Sequence, residues 1–80
     1  MLAARYAVTS DDVDAGGDSF TVPLDDAQED DEYGAFAFVA TGDSTVECQV
    51  PISGRTTTQV SVLSTAPLEE GDVIEVFIAR

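Results

Sequence analysis

The sequence predicts an all-β protein, a small antiparallel β-sandwich or barrel of six to seven short strands. Apolar and polar residues alternate along several segments, which is the period of a strand with one buried face. Glycine, proline and aspartate separate these segments at intervals of about 8–12 residues, a spacing typical of sandwiches and barrels. No segment beyond residue 9 keeps a helical period, and the 80 residues are expected to form one domain, 1–80.

The first half of the chain predicts two strands and two loops. Alternation predicts a strand over residues 2–8, although leucine, alanine and arginine leave a short helix there open. Residues 11–18, rich in aspartate and glycine, predict a turn-rich connector. Residues 20–24 predict a strand in which Pro23 marks an edge position or an end. Residues 25–32 carry carboxylates at six of eight positions, which predicts a loop exposed to solvent.

The second half predicts four strands. Residues 33–41 and 73–79 are apolar at almost every position, so strands are expected there without a clear polar face. Residues 46–52 alternate and predict a half-exposed strand. Residues 56–63 begin with three threonines, which favour a strand over a helix. Residues 66–71 contain proline and glycine and predict a turn before the last strand.

The two strands that are apolar on both faces require an explanation. They could lie in the centre of a closed barrel, or another subunit could cover one face of each. An 80-residue chain buries only about 60% of its surface alone, so assembly would add stability. The alternative is that small side chains face water at little cost, and the candidates are Ala35, Ala37, Ala40 and Ala79.

The charge balance predicts a protein adapted to concentrated salt. Sixteen aspartates and glutamates oppose three arginines, giving a net charge of −13, and lysine is absent. At about 1 M salt the Debye length falls to roughly 3 Å, and the carboxylates no longer repel one another strongly. Aspartate outnumbers glutamate, as in proteins of extreme halophiles, so a haloarchaeal origin is expected. An acidic protein of an ordinary, low-salt organism is the alternative.

The same balance restricts the partners. Nucleic acid binding requires cationic side chains that displace counterions from phosphates, and an anionic membrane surface requires them too. With three arginines in the chain, neither nucleic acid nor a membrane is expected as a partner.

Catalysis, cofactors and metal sites find little support in the residue types. Without histidine or lysine the chain offers no imidazole base and no Schiff-base amine, so no enzyme activity and no cofactor are expected. Cys48 shares its parity with apolar neighbours and is expected to be a buried, inert thiol. Asp12, Asp14 and Asp18 have the spacing of a calcium loop, but glycine and proline occupy two ligand positions, so they are weak metal candidates.

Association between proteins is the function that remains for the two strands that are apolar on both faces. The arginines are candidates to pair with carboxylates across a subunit boundary, because each is surrounded by excess acid. Apolar strand faces would be buried and strand edges would pair between copies, with salt screening the carboxylates. The candidate assembly residues are Phe36, Phe38, Val73, Phe77, Arg5, Arg55 and Arg80.

The order of the segments resembles small all-β virion proteins of tailed viruses, of the capsid-decoration and fibre type. The similar pieces are a strand running into an Asp-rich turn at residues 5–16, the strand at 20–24, the Thr-rich strand at 55–64 and the final hairpin at 67–80. The resemblance covers most of the chain. The extended arm of many decoration proteins has no counterpart here beyond residues 1–4.

The resemblance implies a structural role in the virion of a haloarchaeal tailed virus. The expected protein decorates or cements the capsid, binds the major capsid protein or other virion proteins, associates with itself as a trimer, and is assembled in the host cytoplasm. The alternatives are a receptor-binding or tail-associated domain and a host-encoded binding module. A glycan receptor would favour exposed aromatic side chains in a groove, for which Tyr6 and Tyr33 are the tyrosines available.

Overall fold

The computed structural model describes residues 2–41 and 44–79, which form six strands, one short α-helix and one 3-10 turn. The all-β prediction is confirmed, and the segment at residues 2–8 forms a strand rather than a helix. The elements in chain order are β1 (Leu2–Ala7), α1 (Ser10–Asp14), β2 (Ser19–Pro23), β3 (Gly34–Thr41), β4 (Ser44–Gln49), the 3-10 turn (Ile52–Gly54), β5 (Gln59–Ser64) and β6 (Val73–Ala79).

All six strands belong to one antiparallel sheet in the order β1-β6-β3-β4-β5-β2. The sheet curls into a nearly closed barrel, so the two terminal strands of this order, β1 and β2, approach each other. Just after β2, the Asp25 N–H donates a hydrogen bond of 3.0 Å to the carbonyl of Ala3, at an irregularity in β1. The chain therefore covers part of its own edges, which disfavours the edge pairing between copies that the sequence suggested.

Inward side chains of every strand fill the barrel. Valine and isoleucine supply most of the volume, and each contributes about 1.5–3 kcal/mol when fully buried. Tyr33, Val8, Val50 and Leu68 join this core from outside the strands. The buried strand residues are Ala3, Ala4, Phe20, Val22, Ala37, Val39, Cys48, Val60, Val62, Ile74, Val76 and Ile78.

The Asp-rich connector contains a short helix that the expectation of a simple turn missed. Thr9 caps α1: its hydroxyl accepts from the Asp12 N–H, and the Asp12 carboxylate accepts from the Thr9 N–H at 3.0 Å. This capping box satisfies N–H groups that the first turn of a helix leaves free. The helix has five residues, and the described part of the chain holds no helix long and apolar enough to cross a membrane.

Two predicted strands are shorter than the alternation indicated. β4 ends at Gln49, because Pro51 has no N–H for a ladder and leads into the 3-10 turn, where Ile52 is 78% exposed. β5 begins only at Gln59, because the Thr56 hydroxyl accepts from the N–H groups of Thr58 and Gln59 and holds a turn.

Candidate functional site

β3 directs Ala35, Ala37 and Val39 into the barrel and its two phenylalanines outward. Ala37 is fully buried and Ala35 is half-buried against the core, whereas Phe36 is 45% exposed. The alternative that Ala35 and Ala37 face water is therefore wrong. Ala79 does face solvent, and the side chain of Ala40 lies outside the described ones.

Three phenylalanines form a cluster on the outer surface of β3 and β6, here called the aromatic face and defined as Phe36, Phe38 and Phe77. Phe36 and Phe77 are directly paired across the two strands, and their rings stack with centroids 5.5 Å apart and planes 12° apart. Phe38 meets both rings edge-on at 5.7 and 6.3 Å. These offsets are favourable aromatic geometries, so the rings hold one another in place while part of their surface stays in water.

A row of charged residues crosses the sheet at the level of Phe38 in the aromatic face. The strand register places Arg5 opposite Glu75, Glu75 opposite Phe38, and Phe38 opposite Glu47, across β1, β6, β3 and β4. Arg5 donates to Glu75 at 3.1 Å with its side chain 66% exposed. Glu47 is exposed and makes no ion pair to a residue that the structure describes. These three are the charged residues of the described strands, and they lie in a single row.

The other acidic residues that the structure describes lie outside the strands. In the described residues the remaining carboxylates belong to α1 and its flank, to the loop at residues 25–32 and to the turn before β6. The loop at 25–32 is largely exposed, as predicted. Electrostatic repulsion between carboxylates is therefore strongest among the loops, and the outer surface of β3 and β6 is mainly apolar.

The structure brings five of the seven candidate assembly residues to one outer surface. Val73, the first residue of β6, points to the same side as Phe77 and is 39% exposed. Arg5 lies on the neighbouring strand β1, directly opposite Glu75 of β6. Arg55 instead donates hydrogen bonds to backbone carbonyls near the start of β3, and Arg80 lies outside the described residues.

Arg55 holds together the region where the chain enters β3. Its guanidinium donates to the carbonyls of Tyr33 at 2.7 Å, Val50 at 2.6 Å and Ala35 at 3.4 Å. Its Nε is buried without a hydrogen-bond partner. A guanidinium has donors in a fixed fork that suits several carbonyls at once, so Arg55 acts within its own chain. An open groove of about 480 Å³ lies beside it, lined by Asp31, Glu32, Tyr33, Gly34, Ile52 and Arg55.

Asp12, the first of the three weak metal candidates, is engaged in local hydrogen bonds. Its carboxylate accepts from the hydroxyls of Tyr6 at 2.5 Å and Thr9 at 2.9 Å. The hydrogen bond from Tyr6 lowers the pKa of Asp12 and raises the pKa of Tyr6. The described residues contain no group of three or more potential ligands placed to hold a metal ion, so Asp12, Asp14 and Asp18 do not converge.

Both tyrosines pack or form hydrogen bonds within the fold. Tyr33 is 4% exposed and its hydroxyl donates to the Thr56 carbonyl at 2.7 Å. Tyr6 is half-buried and packs against Phe20 with ring centroids 6.2 Å apart. Neither offers the exposed ring that the glycan-receptor alternative needed.

Cys48 is a buried thiol, as the sequence indicated. Burial raises the pKa of this thiol, which keeps it protonated and weakens it as a nucleophile.

Sequence reasoning found the phenylalanines and Arg5 but missed Glu47. Its place in the charged row depends on the register of β3 against both β4 and β6, which alternation within one strand does not contain. Comparisons with protein-family models, with curated proteins and with solved structures find no match for this chain.

Proposed function

We propose that this chain is a non-enzymatic structural protein of a tailed-virus virion from a haloarchaeal host, a capsid decoration or cement protein that binds the capsid lattice as a homo-oligomer. The observation that carries the proposal is the outer surface of β3 and β6, where the phenylalanines Phe36, Phe38 and Phe77 cluster outside an interior that the same two strands already fill with smaller apolar side chains.

A cluster of one exposed and two half-buried phenylalanines favours a surface that another protein covers. A phenylalanine buries about 150–250 Å² when fully covered, and at roughly 25 cal/mol per Å² each partly exposed ring retains a substantial favourable contribution for association. Isolated exposed apolar residues need no explanation, but contiguous ones mark interaction sites. Val73 extends the cluster along β6.

The charge distribution supports adhesion in concentrated salt. The net charge of −13 opposes contact between copies or with an acidic lattice at low salt. Screening at molar salt removes most of that repulsion. Burial of apolar surface, which salt does not weaken, then becomes the main driving force for association.

The virion assignment rests on the resemblance of the segment order to decoration and fibre-type proteins, together with the acidic composition. The chemistry of the chain is compatible with a role without catalysis, because it contains neither histidine nor lysine and its one thiol is buried with a raised pKa. The tail-associated alternative places the protein elsewhere in the virion, with the same kind of non-catalytic protein contact.

The proposal is tested on virus particles purified at about 3 M salt, where screening is complete, from the organism that encodes the chain. We expect the chain in fixed stoichiometry to the capsid protein, with antibody-linked gold on the shell. Absence from the particles, or gold confined to the tail, would overturn the decoration role.

Rebinding of the protein to stripped particles then tests whether the aromatic face is the contact surface. Particles stripped of the chain at low salt should rebind the wild-type protein and the matched control Leu63→Thr, which removes an exposed apolar residue of β5 on another part of the barrel. Phe38→Thr should fail to rebind. Equal rebinding by both variants would contradict the assignment of the aromatic face as the contact surface.

A further inference from the structure

A groove with polar walls lies on the side of the barrel away from the aromatic face. It is found where the start of β2 meets the ends of β4 and β5, and its volume is about 340 Å³. β5 lies three strands from β6 in either direction around the nearly closed barrel, so the groove and the aromatic face point in nearly opposite directions. The residues that define this β5 groove are Asp18, Ser19, Gln49, Leu63, Ser64 and Thr65.

The strand register places Leu63 at the floor of the β5 groove. Leu63 is directly opposite Ser19 on β2 and directly opposite Gln49 on β4. Directly opposed residues have Cβ atoms about 4.5–5.5 Å apart, so the two polar side chains border Leu63 on either side. Leu63 points outward, because its neighbour Val62 is buried, and it is 37% exposed. A partly exposed apolar surface therefore lies between a hydroxyl and an amide.

The polar side chains around Leu63 have unused hydrogen-bonding capacity. Those of Asp18, Ser19, Gln49 and Thr65 form no hydrogen bond or ion pair with any residue that the structure describes. The backbone holds one wall of the groove in place, since the Asp18 carbonyl accepts from the Ser64 N–H at 2.9 Å. The four side chains comprise a carboxylate that accepts hydrogen bonds, together with an amide and two hydroxyls that both donate and accept them.

We propose that the β5 groove binds a neutral saccharide. A hexose has a face of C–H groups, which fits over Leu63, and a rim of hydroxyls, which fits the mixed donors and acceptors of Asp18, Ser19 and Gln49. Small-molecule sites commonly combine apolar surface with a few polar groups that fix the orientation, and their volumes begin at about 300 Å³. The net charge of −13 disfavours an anionic sugar, so the ligand is a neutral one.

The site lacks the aromatic platform that favours tight glycan binding. Tyr6 and Tyr33 contact other parts of the fold, and Leu63 takes the place of a ring. An aliphatic side chain covers less of a sugar than an aromatic ring does, and the groove is open, so we expect a dissociation constant of about 1–10 mM for one hexose. Many copies on one surface would strengthen such weak binding through avidity.

The position of the groove gives this binding a use on a particle. If the aromatic face contacts the capsid lattice, as proposed above, the β5 groove faces the solution, where surface glycans of a host cell are accessible. Only this orientation rests on the proposed function. The binding of sugar by the isolated protein does not depend on it.

NMR titration of the wild-type protein tests the site. The probes are the methyl glycosides of glucose, galactose and mannose, added at about 3 M salt, where the carboxylates are screened. We expect at least one of them to shift the amide signals of Ser19, Gln49 and Leu63 in a saturable way and to leave those of Phe36 and Phe77 unchanged. Because the ligand is neutral, its affinity should change by less than about twofold between about 1 and 3 M salt.

Variants then test the contacts. Gln49→Ala should weaken binding by about fivefold, because it removes hydrogen bonds to the sugar. Gln59→Ala is the matched control: Gln59 is exposed and belongs to β5, but it lies outside the groove, so this variant should bind like the wild type. The same NMR spectra show whether each variant is folded. No saturable shift with any of the three glycosides at about 100 mM, or equal binding by the two variants, would overturn the proposal.

A comparison with particle binding separates the two sites. Leu63→Thr should lose sugar binding and still rebind to stripped particles, whereas Phe38→Thr should bind sugar and fail to rebind. Undiminished sugar binding by Leu63→Thr would overturn the assignment of the groove. Sugar binding with the expected variant behaviour by a chain that is absent from particles would overturn the virion role and support the groove as a saccharide site.

Discussion

The strand pair β2 and β5 differs from the pair β3 and β6 in which side chains point into the barrel and which point out. In β2 and β5, valines such as Val22 and Val60 point inward and polar residues such as Thr21 and Ser61 point outward. In β3 the outward residues are the larger ones, with Ala35, Ala37 and Val39 on the inner side and Phe36 and Phe38 on the outer side. The outer surface of β2 and β5 is mostly polar, with Leu63 as its exposed large apolar residue, whereas the outer surface of β3 and β6 carries the contiguous aromatic face.

A narrow interior at the level of Val76 favours alanine at position 37 of β3. Val76 of β6 is flanked by Ala4 on β1 and Ala37 on β3, so one large side chain stands between two small ones in that row. Small barrels commonly alternate large and small interior residues. A shift of β3 by one residue would turn Phe36 and Phe38 inward and overfill this space.

The largest expected contrast is between the two faces of β6. Ile74→Ala, on the inner face, should lower the free energy of unfolding by about 2–5 kcal/mol, because it leaves a cavity in a closely packed interior. Phe77→Thr, on the outer face, should cost less, about 1–2 kcal/mol in the monomer, because it removes ring contacts and part of the apolar area of a half-buried side chain. Denaturant unfolding at low protein concentration and high salt measures both. Equal losses would show that the outer ring belongs to the core.

Arg55 and Arg5, the two arginines that the structure describes, should likewise differ in how much each stabilises the monomer. Arg55→Gln should cost about 2–3 kcal/mol, because it removes charge-assisted hydrogen bonds to carbonyls of three residues. Arg5→Gln should cost less than about 1 kcal/mol of monomer stability, since its ion pair is exposed and screened by salt. Thermal and denaturant unfolding of both variants provide the comparison. A larger loss from Arg5→Gln would mean that the outer row supports the monomer.

The smallest effect concerns the hydrogen bond that links β1 to α1. In the folded protein the pKa of Asp12 lies below its usual value near 3.8, because Tyr6 donates to the carboxylate. The stabilisation is therefore present above about pH 4 and is lost as the pH falls through the lowered pKa. Tyr6→Phe should destabilise the protein at neutral pH, and the difference from wild type should shrink in acid.

Carboxyl NMR titration measures that pKa directly. In Tyr6→Phe the pKa of Asp12 should rise toward its usual value. Tyr33→Phe is the control, because its hydroxyl donates to the Thr56 carbonyl and not to a carboxylate. An unchanged Asp12 pKa in Tyr6→Phe would show that the capping contacts from Thr9 set it instead.

Local sequence patterns predicted most of the fold. Alternation placed Val60, Val62 and Cys48 inward, and the apolar run at residues 73–79 predicted the last strand, as found. These patterns failed where side-chain hydrogen bonds or proline competed with the ladder. Thr9 and Asp12 have the spacing of a capping box and so contain a signal for α1, but the glycines that follow favoured a simple turn.

The candidate site was predicted only in part, because it depends on which strands are neighbours. The apolar character of residues 33–41 and 73–79 indicated a face needing cover, and the phenylalanines were the evident members. The stacking of Phe36 on Phe77 and the row from Arg5 to Glu47 arise from pairings between segments distant in sequence. One sequence contains no direct indication of that register.

Sedimentation equilibrium of the wild type at about 3 M salt tests most directly whether the surface of β3 and β6 is completed by protein contact. We expect self-association of the wild type and of Leu63→Thr, loss of association in Phe36→Thr, and dissociation with retained β-sheet circular dichroism when salt is lowered. A wild-type monomer across the concentration range, or Phe36→Thr associating as strongly as the wild type, would contradict this expectation.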